Sequence, residues 1–262
     1  MTDYIESNRA LWNTWTAQQT DSDHHRDVAR FRATGSSLRS IERAELGDVS
    51  GKSLLHLQCN MGCDTLSWAR LGARVIGMDL SDAAVERGRA LASEASLSAR
   101  FLQSDLYALP ETLDEQFDIV YTSYGALGWL PDLDHWAEIV ARNVRTGGIF
   151  YMVEMHPTGI MLSSAGDETG TRFQVANPYF HSAEPATEDD GRGNIVHVWS
   201  YGLGEVVTAL LDAGMRLDFL HEFPMSFYRQ FPSLVHGDDE YWRWPAASRN
   251  SMPLLFSLCA RK

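Results

Sequence analysis

The sequence predicts an α/β fold: a seven-stranded, mostly parallel sheet with an antiparallel last strand, helices on both faces, an N-terminal helical cap and an insertion after strand five. Three observations carry that prediction. Five apolar runs between residues 53 and 155 alternate with helix-like stretches, the pattern of parallel strands covered on both sides. Hydrophobic residues make up 44% of the 262, enough for a large core. The last two apolar runs, Arg216–Phe223 and Leu254–Ala260, are joined by about 30 residues without a good helix, so the final strand enters antiparallel.

Residues 4–45 read as polar, partly amphipathic helix with Leu11, Trp12 and Trp15 close together, and residues 1–48 are expected to form the cap on a main domain spanning 49–262. Strands follow at Ser53–Cys59, Arg74–Asp79, Ala99–Asp105, Phe117–Tyr124 and Gly148–Met155. Helical patterns at about 64–71, 82–95 and 132–144 separate them, with a short connection at 106–114. Residues 156–200 break the alternation with glycines, prolines, scattered aromatics and the acidic run Glu188-Asp189-Asp190. They are expected to lie as a lid over the carboxyl edge of the sheet, where α/β folds bind ligands. Leu203–Ala213 is a further helix, stopped by Gly214.

Composition excludes several classes. The net charge is −13, from 35 acidic and 22 basic residues, and no basic stripe is present to meet a nucleic acid. Three cysteines without regular spacing read as reduced thiols. Cys59 and Cys63 alone are too few ligands for a metal site, so none is expected. No run approaches the ~20 apolar residues of a membrane span, and no signal peptide opens the chain; a cytoplasmic protein without a membrane partner is expected.

The chemistry gathers at strand ends. "LLHLQCNMG" turns from the first strand into a helix with one glycine, Gly62. Asp79 closes "RVIGMD", 21 residues after Gln58 and near the ~20-residue spacing at which a carboxylate takes a ribose diol. Asp105 closes the next strand in "FLQSDLY", where it can meet an adenine edge. In this order "LLHLQCNMG", "VIGMDLS", "FLQSDLYALP", "FDIVYTSYGALGWLPDL" and "GGIFYMVE" resemble the class I, Rossmann-like S-adenosylmethionine-dependent methyltransferases, in a small-molecule subgroup with a variant first motif. The resemblance covers about residues 50–260.

That resemblance implies S-adenosylmethionine as cofactor and in-line methyl transfer to the nitrogen or oxygen of a small molecule, in secondary metabolism. The family's first motif, an acid followed by Gly-x-Gly-x-Gly, falls here on His56, Gln58, Asn60 and Gly62, so the acid and two glycines are replaced. Asparagine tolerates left-handed angles, and Gln58 and Asn60 can hydrogen-bond the methionine carboxylate or amine. By the same resemblance Tyr124 and Gly125 face the methionine part and the methyl group. Leu80 and Leu106 flank ribose and adenine, and Trp12 and Trp15 close over the cofactor. Tyr4, Trp129, Tyr179 and His181 are the expected acceptor walls. An amine acceptor must lose a proton, and His156 in "VEMHP" is the candidate base. Two other classes stay open: an NAD(P)-dependent oxidoreductase, favoured by Asp79 but without a Tyr-x-x-x-Lys pair, and a cofactor-binding protein without transferase activity.

Overall fold

The structure, a computed structural model, describes residues 2–18, 23–164, 172–246 and 252–262. The chain opens with helices α1 (Thr2–Ala17), α2 (Asp23–Thr34) and α3 (Ser40–Leu46). Then come β1 (Ser53–Leu57), α4 (Cys63–Arg70), β2 (Arg74–Asp79), α5 (Asp82–Glu94) and β3 (Ala99–Gln103). A 3₁₀ turn at Leu106–Ala108 and α6 (Leu109–Thr112) lead to β4 (Phe117–Ser123), followed by α7 (Leu133–Asn143) and β5 (Val144–Met155).

The next segment holds α8 (Pro157–Ile160) and two small hairpins, β6 (Leu162–Ser164) with β7 (Phe173–Val175) and β8 (Ala186–Asp189) with β9 (Ile195–Val198). Helix α9 (Leu203–Asp212) and β10 (Arg216–Phe223) return to the sheet. Short strands β11 (Met225–Ser226), β12 (Val235–His236) and β13 (Trp242–Arg243) form their own small sheet before β14 (Leu255–Arg261).

The main sheet runs β10-β14-β5-β4-β1-β2-β3. Strands β3, β2, β1, β4 and β5 pair in parallel, while β14 is antiparallel to both β5 and β10. The expected antiparallel last strand is therefore present, inserted between the two strands that precede it in the chain. The order reverses beside β1, and a crevice opens at that point between the loops after β1 and β4.

Alternation along the strands decides which helices cover which face. Leu55, Leu57, Val120, Phe150 and Met152 point to one side, where Trp136, Ala137 and Val140 of α7 and Val206 and Leu210 of α9 bury them. Leu54, Val75, Ile119, Tyr121, Tyr151 and Val153 point to the other, against Ile41 and Leu46 of α3 and Trp68 of α4.

Strand ends differ from the sequence reading for local reasons. The first strand stops at Leu57, two residues early, because Gln58 turns left-handed at φ 53°. The third stops at Gln103 because Asp105 caps the turn behind it, its carboxylate accepting from the Tyr107 N–H at 3.2 Å. The fifth begins at Val144 because that residue already pairs with Phe117, ahead of an irregular register step.

Candidate active site

The turn after β1 keeps a glycine-type backbone without glycines. Gln58, Asn60 and Gly62 all have positive φ, at 53°, 50° and 73°. For the two non-glycine residues such angles cost roughly 1–2 kcal/mol each. Short bonds offset that cost. The Asn60 N–H donates to Asp79 at 2.7 Å, the Met61 N–H to the Asn60 side chain at 2.7 Å, and the Gln58 Nε2 to the Ala126 carbonyl at 2.8 Å. Gly62 has a different reason to be glycine: a Cβ there would collide with the Phe101 ring, and the residue does not border the pocket.

Asp79 ends β2 beside this turn. Its carboxylate accepts from Asn60 and from the Ser81 N–H at 2.9 Å, and burial pushes its pKa up to about 6. Each oxygen keeps a lone pair for a further donor. Ser81, not Asp79, caps α5, accepting from the Ala84 N–H at 3.1 Å. Asp105 stands at the next strand end, held by its turn, and burial raises its pKa.

The loop after β4 is clamped from below. The Glu154 carboxylate, 3% exposed, accepts from the backbone N–H groups of Gly125 and Met155 at 2.5 Å, Ala126 at 2.7 Å and Leu127 at 3.2 Å. This clamp holds Tyr124 and Gly125 at φ 32° and 84°. The Tyr124 hydroxyl donates to Glu42 Oε2 at 2.8 Å, and burial pushes the Glu42 pKa up to about 7.

Helix α1 closes the top. Trp12, Trp15 and Trp129 meet edge to face, with ring centroids 5.0 to 6.0 Å apart. The helix is tied to β9 by a two-way bond: Asn8 Nδ2 donates to the His197 carbonyl at 2.9 Å and Asn8 Oδ1 accepts from the His197 N–H at 3.2 Å. Trp15 Nε1 donates to Asp190 at 3.0 Å, so the acidic run contributes one residue to this tie.

These parts enclose a cavity of about 360 Å³. Of the residues singled out in the sequence, Trp12, Trp15, Gln58, Asn60, Asp79, Leu80, Asp105, Leu106, Tyr124, Gly125 and Trp129 border it. Besides Gly62, four expected residues do not. Tyr4 donates to Glu184 and packs on His197 and Trp199. Tyr179 lies against Gly202, and His181 stacks on Tyr201. His156 is 3% exposed and engaged at both ring nitrogens, Nδ1 accepting from the Thr158 N–H at 3.1 Å and Nε2 meeting Glu222 at 2.8 Å.

The cavity also takes Ser123 and Met155, the last residues of β4 and β5, and residues that no strand-end pattern announces: Asp27 from α2, Asp64 from α4, Phe227 and Tyr228. Asp64 carries a signal in hindsight, as an acid in the first turn of the helix after the glycine-poor turn. Phe227 and Tyr228 arrive from the irregular segment after β10 and carry none.

Residues 54–148 match the family described as a methyltransferase domain. Over those residues the chain is similar to a methyltransferase domain. It is 30% identical over 125 residues to a ubiquinone biosynthesis O-methyltransferase of Alkalilimnicola ehrlichii, covering 47% of this chain and 50% of that one. The chain thus spans about half the length of the curated relatives it matches. Two solved structures share its fold. An S-adenosylmethionine-dependent methyltransferase from Mesorhizobium loti has TM-score 0.60 and 21% identity, over 84% of this chain and 95% of that one. A putative one from Listeria monocytogenes has TM-score 0.62 and 19% identity, over 84% and 94%.

The methyltransferase domain fits S-adenosylmethionine on its own geometry. Asp79 brings a carboxylate with spare acceptor capacity to the cavity wall, Leu80 and Leu106 line it with apolar surface, and Gln58 Oε1 is buried without a hydrogen-bond partner.

Proposed function

We propose that this chain is an S-adenosylmethionine-dependent methyltransferase acting on the nitrogen or oxygen of a small, neutral or cationic acceptor. The charge of the pocket wall carries the reading. Asp27, Asp64, Asp79 and Asp105 border the cavity, and no lysine or arginine does among the described residues. The one histidine there, His56, is kept neutral by burial, which pulls its pKa down to about 4. Asp27 is paired with Arg39 at 3.2 Å, and the remaining acids favour a sulfonium over a doubly anionic pyrophosphate. That preference argues against the oxidoreductase reading.

The bound cofactor supplies an activated methyl group on a positively charged sulfur. The chain supplies position. Asp79 and the left-handed turn hold the adenosyl end, the three tryptophans exclude water, and the loop clamped by Glu154 fixes the wall beside the reacting atoms. Alignment of this kind is worth up to ~7–11 kcal/mol. The acceptor enters where Met155, Phe227 and Tyr228 form an apolar end. Oxygen acceptors draw support from the Alkalilimnicola relative, which is an O-methyltransferase.

Calorimetry with S-adenosylhomocysteine and with NAD tests the first half of the proposal: heat with the former alone is expected, and heat with NAD alone would refute it. A panel of phenols, amines and carboxylic acids, read by mass spectrometry, tests the second. Methylation confined to carboxylic acids would overturn the acceptor class.

A further inference from the structure

We infer that Arg39, which does not itself border the cavity, selects the acceptor: its charge makes the acceptor end receive uncharged aromatic molecules and turn away protonated amines. The inference narrows the acceptor class of the S-adenosylmethionine reading above and rests on that reading. Arg39 stands just ahead of α3 and is 8% exposed. Its Nη2 donates to Asp27 Oδ1 at 3.2 Å. The guanidinium carbon lies 5.3 Å from the ring centroid of Phe227 and 5.6 Å from that of Tyr124. Burial opposes this charge, but Asp27, Tyr124, Glu42 and Asp64 hold it in place, and its pKa stands above the ordinary arginine value.

Both of those rings border the cavity, together with Tyr228 and Met155. They form an aromatic corner: centroids are 4.8 Å apart for Tyr124 and Phe227 and 4.9 Å for Phe227 and Tyr228, each pair tilted by 54°. Such a corner suits a flat apolar ring. Aromatic faces also attract cations within ~6 Å of their centroids. Arg39 has already taken that attraction on two of the three rings. An ammonium set against the same rings gains less from them and meets the guanidinium's repulsion through a buried, weakly screening medium. The nearby carboxylates do not offset this. Asp27 is paired with Arg39. Burial pushes the Glu42 pKa up to about 7, so near neutral pH that group is partly protonated. Asp64, in the first turn of α4, stands beside the turn after β1, at the cofactor end.

The experiment compares 4-methylphenol and benzylamine, alike in size but neutral and cationic near neutral pH. Each is titrated by ligand-observed NMR into protein saturated with S-adenosylhomocysteine. The wild type is expected to bind 4-methylphenol at least about tenfold more tightly. Arg39→Gln is expected to cut that preference to about twofold or reverse it. Arg39→Lys keeps the charge and is expected to keep the preference. Equal affinity for the two probes in the wild type, or binding of neither, overturns the inference and leaves the cofactor reading standing. So does a preference unchanged in Arg39→Gln, or one lost equally in Arg39→Lys. A wild type that does not bind S-adenosylhomocysteine overturns both. Should Arg39→Gln fail to fold, the double change Arg39→Gln with Asp27→Asn, which removes both halves of the ion pair, takes its place with the same two outcomes.

Discussion

The Gln58–Gly62 turn and the segment 156–200 flank the same ligand edge but are built in opposite ways. The turn borders the cavity directly and is fixed by bonds between residues near it in the chain or on adjoining strands. No residue of the insertion borders the cavity among those described. It acts through α1, which β9 braces by the paired Asn8–His197 bonds. The cofactor edge is thus held by the sheet, whereas the cover is held by a hairpin far away in sequence. Substitutions in the first region should be felt as lost stability or lost cofactor affinity. Those in the second should leave both largely intact.

The largest effect is expected at Glu154, the anchor of the sheet-held region. Glu154→Ala strands the N–H groups of Gly125, Ala126, Leu127 and Met155 in a buried place. At about 1–3 kcal/mol for each buried group left unmet, partly relieved by water, a loss of ~4 kcal/mol in unfolding free energy follows. Denaturant melts check it; a loss below ~1 kcal/mol would show that the loop stands without its clamp.

The next effect is a pH slope from Glu42, which backs Tyr124. Its pKa is raised from 4.5 to about 7 by burial, so the folded protein binds more protons than the unfolded chain across that interval. Stability is therefore highest at low pH as far as this group is concerned, falls as pH rises from 4.5 to about 7, and is flat above. The whole change is on the order of 3 kcal/mol. Glu42→Gln removes this component of the slope while keeping an acceptor for the Tyr124 hydroxyl; an identical slope in the variant would locate the titration elsewhere.

What was legible in the sequence follows the same division. The five inner strands show as apolar runs because they are largely buried on both faces, the edge strands β3 and β10 are only partly buried, and Asp79 shows because a strand end followed by a capped helix is a local pattern. The carry-over of Gln58 and Asn60 to glycine places was legible only through the resemblance; their left-handed angles depend on Asp79 and Ala126, 19 and 68 positions away. Tyr4, Tyr179 and His181 miss the cavity because residue type alone does not say which way a helix or an irregular segment turns its side chains. Asp27, Phe227 and Tyr228 escaped notice because tertiary packing alone brings them to the pocket.

Asp79→Ala tests the cofactor edge at a smaller scale. Loss of the ribose acceptor is expected to weaken S-adenosylhomocysteine by about 1–3 kcal/mol. The Asn60 N–H loses its partner as well, so some of that loss arises from a loosened turn. Calorimetry reads the change, and unaltered affinity would remove Asp79 from the ligand's surroundings.

The smallest effect is expected at His156, the first residue of the insertion. A base for the acceptor must reach the acceptor's proton directly or through one water. His156 is buried outside the cavity, and its Nδ1, the lone pair that would take a proton, already accepts the Thr158 N–H that starts α8. Protonation would break that cap, and burial lowers the pKa further. The ring therefore caps a short helix and holds Glu222 on β10. His156→Ala is expected to cost ~1 kcal/mol of stability, the usual worth of a cap, with turnover and cofactor affinity within about twofold of the parent. A collapse of turnover in a variant of normal stability would bring the insertion into the chemistry, and the division between a sheet-held ligand edge and a remote brace would fail with it.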